Sequence, residues 1–215
     1  MAEITALRII DCDQGTPEWL EARRGLPTAS MFKDIMSPGR GAAPSKQRRT
    51  YMLKLAAEII SGEPTEGFST VHTERGHEQE AEAREWYAFK HDVDPQQVGL
   101  IVNGVAGYSP DSLIGAPGAL EIKTKLGFMA IDAILNDEFL DEHKPQCQGG
   151  LWVAKREWID LTVWSRGIPP FVKRAERDEV YIVKLERAVV EFTEELAEMV
   201  AKVRAYGLPK ISEAA

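Results

Sequence analysis

The centre of the chain carries the alternation of apolar and polar residues that is typical of a β-hairpin. Residues 112–114 form a short apolar run, residues 115–118 are turn-like, and residues 119–123 alternate with a period of two. Because successive side chains of a strand point to opposite faces, Glu121 and Lys123 should share one face while their apolar neighbours enter a core. The pattern therefore predicts charged groups gathered on one small surface.

Similar reasoning predicts the elements on either side of the hairpin. Helices are expected over residues 16–24, 45–60, 72–91, 124–135, 145–154 and 186–206. Strands are expected over residues 97–103, 158–164 and 179–185, with the last two paired across a Pro-Pro loop. A short second helix should begin with Ser30 as its N-cap. The helix over residues 72–91 is expected to bury Ala81, Ala83, Trp86, Tyr87 and Phe89.

Length and composition predict a single α/β domain. The 215 residues are 44% hydrophobic and 28% charged, and no linker rich in Pro, Ser or Gly divides them. We expect N-terminal helices over about residues 16–61, a core over about 72–185 and a closing helix over about 186–206. The sequence shows no membrane-spanning run, no signal-peptide pattern and only two cysteines. These features predict a soluble cytoplasmic protein that has no membrane partner.

The net charge of −8 is distributed unevenly along the chain. Residues 22–55 contain eight Lys or Arg and one acid, whereas residues 56–100 contain ten acids and three basic residues. Such asymmetry is typical of a protein with one basic surface for nucleic acid and an acidic exterior. Solvated helix faces without any partner would give the same pattern.

Two carboxylates are expected to lie together with an ammonium group in the hairpin. Asp111 precedes the first strand, and Glu121 and Lys123 lie on the second. Oxygen ligands of this kind suit Mg²⁺, for which Mn²⁺ can substitute, and they disfavour zinc. The four histidines lack the spacing of a zinc site, and no Walker-type loop is present, so ATP is not expected.

The same residues carry a family resemblance. The SPD sequence ending at Asp111, the ten-residue interval and the EIK sequence beginning at Glu121 match the PD-(D/E)XK nuclease pattern. Other matching segments are residues 18–25 with 28–30, Arg75-Gly76 with Glu80, residues 146–148, and Trp152. In this order they resemble the phage lambda-type exonucleases, also called the YqaJ-like viral recombinase family. The resemblance implies a restriction-endonuclease-like α/β fold, with a mixed central β-sheet flanked by helices.

The resemblance also implies roles for individual residues. It assigns the metal ligands to Glu80, Asp111, Glu121 and the backbone carbonyl of Ile122, for one or two Mg²⁺ ions. It assigns catalytic roles to Asp111, Glu121, Lys123, Gln146 and Ser109. Lys123 would orient or deprotonate the attacking water or neutralise developing charge, and Ser109 would contact the phosphate. Gln148 is the alternative to Gln146, and a shifted helix boundary would replace Glu80 by a neighbouring glutamate.

A further set of residues is implied to contact the DNA end. In the family, residues matching Arg23 and Ser30 hold the terminal 5′-phosphate, and Thr28 lies in the same segment. Arg40 in the Gly- and Pro-rich loop is a candidate contact to the DNA backbone. Without the resemblance, Arg23 and Ser30 would be interpreted as an exposed helix-end residue and an ordinary cap.

The function implied by the resemblance is an ATP-independent, Mg²⁺-dependent 5′-to-3′ exonuclease. It would act on double-stranded DNA ends and leave 3′ single strands. The implied partners are two further copies of the chain in a ring-shaped homotrimer and a phage-type single-strand annealing protein that uses the product in recombination. The alternatives are an endonuclease on the same fold and a catalytically idle DNA-end-binding or scaffold protein.

Overall fold

A computed structural model describes residues 7–39, 43–65 and 71–206, with the side chains of residues 71–77 left out. The helices are α1 (Pro17–Arg23), α2 (Phe32–Ile35), α3 (Lys46–Ser61), α4 (Val71–His91), α5 (Gly127–Asn136), α6 (Lys144–Ala154) and α7 (Glu179–Arg204). The strands are β1 (Arg8–Ile10), β2 (Pro95–Gln96), β3 (Leu100–Asn103), β4 (Ala106–Tyr108), β5 (Ser112–Ile114), β6 (Gly118–Thr124), β7 (Trp158–Trp164) and β8 (Phe171–Glu176). Short 3-10 turns precede α2 and α6 at Ala29–Met31 and Asp141–His143.

A five-stranded mixed sheet forms the centre of the molecule, with strand order β2-β5-β6-β7-β8. Strands β6 and β7 run parallel, and the other neighbours are antiparallel. Helices α3, α6 and α7 pack together in the largest apolar cluster, while α4 covers other residues of β6. A smaller sheet of order β1-β3-β4 lies beside this core. The expected mixed α/β fold with flanking helices is therefore confirmed.

Local capping explains where the N-terminal helices begin and end. The Thr16 side chain accepts a hydrogen bond from the Trp19 N–H, and proline occupies the first turn of α1. Ser45 caps α3 in the same way by accepting from the Arg48 N–H. Gly62 ends α3 in the left-handed conformation, at φ +77°. These boundaries agree closely with the sequence prediction.

The predicted strand over residues 179–185 is wrong, because this segment is the first part of α7. Asp178 caps the helix by accepting from the Tyr181 N–H. The buried residues of α7 are Ile182, Leu185, Val189, Phe192, Leu196 and Val200. Their three- and four-residue spacing is helical, but within 179–185 alone the apolar residues also fit a strand. The strand paired with β7 is β8, which lies immediately after the Pro-Pro loop.

Two smaller expectations are also corrected by the structure. Phe89 and Ala81 of α4 are exposed, Phe89 to 89%, because they lie on the helix face opposite the sheet. Ser30 does not cap a helix and instead lies within the 3-10 turn whose N-cap is Thr28.

No helix in the described part of the chain has the length and hydropathy needed to cross a membrane.

Candidate active site

The hairpin brings Asp111 and Glu121 together. Strands β5 and β6 pair in antiparallel fashion, with Ser112 opposite Leu120. The backbone N–H of Ile122 donates to Asp111 Oδ2 at 2.5 Å. This bond holds the Asp111 side chain against β6, beside the residue that follows Glu121. Local strand pairing therefore determines the separation of the two carboxyl groups.

Glu121 is 2% exposed and is surrounded by hydrogen-bond donors from three elements. Lys123 Nζ donates to Glu121 Oε1 at 2.8 Å, and Gln146 Nε2 donates to the same oxygen at 2.5 Å. The hydroxyl of Tyr108 donates to Oε2 at 3.2 Å. Because β6, α6 and β4 each contribute one donor, the position of Glu121 depends on the packed fold.

Burial and like charges perturb the pKa values of this cluster. Burial, followed by the charges of Glu121 and Glu80, raises the pKa of Asp111 well above its ordinary value. Burial alone would lower the pKa of Lys123, but the charges of Glu121 and Asp111 raise it above its ordinary range. Lys123 is therefore an ammonium group in this arrangement, whereas the ionised form of Asp111 is disfavoured by its surroundings.

Glu80 lies close to this pair, but its carboxylate has a partner of its own. Arg84 Nη2 contacts Glu80 Oε1 at 2.5 Å one helical turn away, and Arg84 Nε donates to Ser112 Oγ at 3.0 Å. Arg84 thus connects α4 to the first residue of β5. Among the described residues, no three His, Cys, Asp or Glu side chains form a group with the geometry of a metal site.

The donor set fits a divalent cation in its chemistry. Asp111 and Glu121 supply hard oxygen atoms, which are the ligands preferred by Mg²⁺. The raised pKa of Asp111 means that its ionised form is costly in this buried environment. A cation bound between these oxygens would relieve that cost. Glu80 would have to leave Arg84 in order to contribute to the same site.

The predicted phosphate-binding residues are also brought together, at the end of α1. Arg23 Nη2 donates to Thr28 Oγ1 at 3.2 Å, and the hydroxyls of Thr28 and Ser30 are 3.4 Å apart. The Arg23 guanidinium lies 3.9 Å from the centre of the Trp19 ring. Arg40, the other predicted DNA contact, lies outside the described residues.

Trp19 connects this segment to the loop before the hairpin that carries Asp111 and Glu121. Its indole N–H donates to Ser109 Oγ at 2.9 Å and to the Gly99 carbonyl at 3.1 Å. Ser109 is two residues from Asp111, so a single side chain links the Arg23 segment to the carboxylate pair. The sequence prediction did not include Trp19, Tyr108 or Arg84. Trp19 could have been found from its position four residues before Arg23, one helical turn away. Tyr108 and Arg84 had no comparable local signal in the sequence.

The structure distinguishes between the two glutamines of α6. Gln146 reaches Glu121, whereas the Gln148 side chain donates to the Glu176 carbonyl and accepts from the Asp178 N–H, both at 2.8 Å. Gln148 is 3% exposed and therefore connects α6 to the segment between β8 and α7. Gln146 remains the residue at the carboxylate cluster.

The carboxylate cluster lies in a segment that matches a known protein family. The model of the YqaJ-like viral recombinase domain matches residues 18–157, a range that contains Asp111, Glu121, Lys123 and Gln146. The chain belongs to the YqaJ-like viral recombinase family. The whole of α7 and the whole of strand β7 lie beyond the part of the chain that the YqaJ-like model matches. No curated protein sequence is significantly similar to this YqaJ-like chain.

Solved structures share the fold of this YqaJ-like protein. A crystal structure of LHK-Exo in complex with dAMP is 30% identical and has a TM-score of 0.80, covering 88% of this chain and 96% of that one. A structure of LHK-Exo, an alkaline exonuclease from Laribacter hongkongensis, is 28% identical with a TM-score of 0.78 and the same coverage. A phage-related exonuclease from Haemophilus somnus is 14% identical with a TM-score of 0.65, covering 83% and 96%, and shows similarity of fold alone. These neighbours are lambda-exonuclease-like proteins of the PD-(D/E)XK fold.

Proposed function

We propose that this protein is a Mg²⁺-dependent exonuclease that degrades one strand of duplex DNA from the 5′ end and leaves a 3′ single strand. Its family and its alkaline exonuclease neighbours support a DNA exonuclease. The observation that carries the proposal is the buried Glu121 carboxylate, held beside Asp111 by Lys123, Gln146 and Tyr108. A buried pair of like charges has a clear use in metal-assisted phosphodiester hydrolysis.

Asp111, Glu121 and the backbone carbonyl of Ile122 would hold the ion, with Glu80 as a further ligand after release from Arg84. When bound, Mg²⁺ would neutralise charge on the phosphate and lower the pKa of a bound water, and Mn²⁺ would serve in its place. The Ile122 N–H would continue to orient Asp111, because the hydrogen bond uses only one carboxylate oxygen. The proposal covers one or two ions at this site.

Lys123 would act mainly through its charge. Its ammonium donates to Glu121, and the neighbouring carboxylates raise its pKa, so it is poised to stabilise negative charge that develops on the phosphate. Gln146 would hold Glu121 in place and orient the attacking water through its amide. Tyr108 would position the second oxygen of Glu121 without contacting substrate.

The Arg23 segment supports 5′-end recognition. Arg23, Thr28 and Ser30 place a guanidinium and two hydroxyls within one short stretch, which suits a terminal phosphate. Trp19 connects this stretch to Ser109, which lies two residues before Asp111 in the chain. The proposal includes a ring-shaped homotrimer on the DNA and transfer of the 3′ strand to a phage-type single-strand annealing protein.

Nucleotide release from linear duplexes labelled at either the 5′ or the 3′ end tests this proposal. The reactions contain Mg²⁺ or EDTA, duplexes with 5′-phosphate or 5′-hydroxyl ends, and a covalently closed circle. Lys123→Ala is the inactive variant, and Lys184→Ala on the exposed face of α7 is the matched control. We expect Mg²⁺-dependent release from 5′ ends, loss of that release in Lys123→Ala only, and a preference for 5′-phosphate that Arg23→Ala removes.

Other results would select another function. Cutting of the closed circle would identify an endonuclease. Metal-independent DNA binding without any nucleotide release would identify an end-binding or scaffold protein. Release from 3′ ends would contradict the proposed polarity while leaving the nuclease assignment intact.

A further inference from the structure

Helix α5 buries its small residues and exposes its large ones. Ala130 and Ala133 pack against Val163 of β7 and Phe171 of β8 and are at most 2% exposed. Phe128 near the start of the helix is 69% exposed. Burial of large apolar side chains stabilises a fold. A helix with this arrangement instead leaves an apolar surface, which includes Phe128, exposed to solvent.

An open pocket lies beside this surface. Its volume is about 420 Å³, which is within the range of small-molecule sites. The apolar lining includes Phe128, Met129 and Leu140, and the charged lining consists of Lys125, Asp132 and Glu142. An exposed aromatic ring beside a cation is a combination that binds single-stranded nucleic acid, because bases stack on rings while phosphates pair with cations.

Lys125 is the cation of the pocket, and it forms an ion pair with the partly exposed carboxylate of Glu142. The Lys125 side chain is 15% exposed and its ammonium contacts Glu142 Oε1. His143 Nε2 approaches the same oxygen to 3.1 Å but has no hydrogen-bond partner. The Glu142 side chain itself is 48% exposed, so it can swing into solvent while Lys125 and His143 stay in place.

The pocket lies next to the catalytic cluster. Lys125 follows Lys123 by two residues, just beyond the end of β6. His143 directly precedes α6, which carries Gln146 to Glu121. Burial, followed by the charges of Lys123 and Lys125, lowers the pKa of His143 to about 4, so the imidazole is neutral at pH 7 and faces both lysines. The pocket and the carboxylate cluster are therefore built on the same two parts of the chain, the end of β6 and the start of α6.

We propose that this pocket is a nucleotide subsite for single-stranded DNA, in which a backbone phosphate replaces the Glu142 carboxylate on Lys125 and a base packs against Phe128. The inference rests on the proposed nuclease function, since it supplies a place for an unpaired strand beside the catalytic residues. A protein partner would also cover an apolar helix face. The buried ammonium and its position beside Lys123 favour a phosphate-bearing ligand.

Binding of a fluorescent oligothymidylate with a 5′-hydroxyl end, measured by anisotropy in EDTA, tests the aromatic part of the subsite. A 5′-hydroxyl probe keeps the Arg23 segment from dominating the signal. We expect Phe128→Ala to weaken binding at least about five-fold, the lower end of base stacking on an aromatic side chain. Phe89→Ala is the matched control, because Phe89 is 89% exposed on α4 and lies outside the pocket. Equal affinities for the two variants would overturn the proposal and indicate a protein-binding surface.

Salt dependence tests the phosphate part. Lys125→Ala should reduce the slope of log affinity against log salt by about 0.7, the value for one phosphate contact on a single strand. Glu142→Gln should tighten binding more than Glu138→Gln, an equal change of charge at an exposed position outside the pocket. An unchanged slope for Lys125→Ala, or equal effects of the two glutamate variants, would contradict a phosphate on Lys125. Thermal unfolding confirms that each variant is folded.

Failure of this inference is distinguishable from failure of the proposed function. The binding measurements need no hydrolysis, so they report on the subsite even if the protein releases no nucleotides. Normal exonuclease activity with unchanged oligothymidylate binding in Phe128→Ala would overturn the subsite alone. Specific loss of binding in a protein without nuclease activity would support the subsite and contradict the nuclease.

Discussion

Glu121 and Asp160 are two buried carboxylates on neighbouring parallel strands, and their surroundings differ. They are 2% and 3% exposed, and the register of β6 and β7 pairs Asp160 with Leu120, so the two acids occupy opposite faces of the sheet. Arg174 binds Asp160 through two hydrogen bonds of 2.8 and 2.9 Å, and the Tyr87 hydroxyl donates a third of 2.5 Å. The Asp160 charge is therefore matched locally.

Glu121 has donors as well, but it shares its surroundings with a second acid. Asp111 lies beside Glu121, and Glu80 lies nearby. Burial, followed by the charges of Glu121 and Glu80, raises the pKa of Asp111. At Asp160 the guanidinium of Arg174 neutralises the carboxylate. At Glu121 a second carboxyl group lies close by, and the proximity of the two acids disfavours ionisation of Asp111. The difference separates a carboxylate whose charge the fold matches from one that is available for the proposed cation.

The largest expected effect is on catalysis. Asp111→Asn should lower the rate of nucleotide release at least ~10³-fold, about 4 kcal/mol of barrier, because a metal ligand is lost. The asparagine carbonyl can still accept from the Ile122 N–H, so the fold should be kept. The free energy of unfolding in EDTA, measured with urea, should not fall. A variant that keeps a tenth of the rate would show that Asp111 is not a catalytic ligand.

Asp160→Asn should have the opposite profile. We expect the free energy of unfolding to fall by about 2 kcal/mol, since Arg174 and Tyr87 lose their charged acceptor while Arg174 remains 47% exposed to water. The rate of nucleotide release per folded molecule should stay unchanged. Asp137→Asn, at an exposed pair with Lys173, is the control and should change stability by less than about 0.5 kcal/mol. Loss of activity without loss of stability would contradict the structural role of Asp160.

Addition of Mg²⁺ should distinguish the roles of Asp111 and Asp160 through a smaller change in the free energy of unfolding. Mg²⁺ at about tenfold above its Kd should stabilise the wild-type protein by about 1.4 kcal/mol, because only the folded state holds the ligands together. Asp160→Asn should keep this response and Asp111→Asn should lose it. Melting temperatures with Mg²⁺ and with EDTA measure the difference. An equal response in both variants would place the ion elsewhere.

The smallest effect is a pH dependence of stability in EDTA. The pKa of Asp111 is raised in the folded state, so ionisation above that pKa costs stability, and the cost disappears as the pH falls through it. Asp111→Asn lacks this ionisable group. The stability advantage of Asp111→Asn over wild type should therefore be greatest at neutral and alkaline pH and shrink towards acid pH. Urea unfolding across this range measures the trend, and a constant difference would contradict the raised pKa.

Errors in the sequence prediction occurred where a short pattern fits two structures. Residues 179–185 contain apolar positions compatible with a strand, and only the repeat that continues to Val200 shows that they begin α7. Phe89 was expected in the core because aromatic residues bury much apolar area, but the orientation of α4 on the sheet leaves it exposed. The orientation of a helix is set by its partners, and these are distant in the sequence.

The hairpin, the caps of α1 and α3, and the spacing of Asp111, Glu121 and Lys123 could all be predicted from the amino-acid sequence. These features depend on residues within a few positions of one another, and their periodicity can be seen directly in the chain. Only the tertiary structure decided that Gln146 and not Gln148 reaches Glu121, that Trp19 joins the Arg23 segment to Ser109, and that a pocket opens beside α5. Such contacts join residues far apart in the chain, so packing of the whole core selects them.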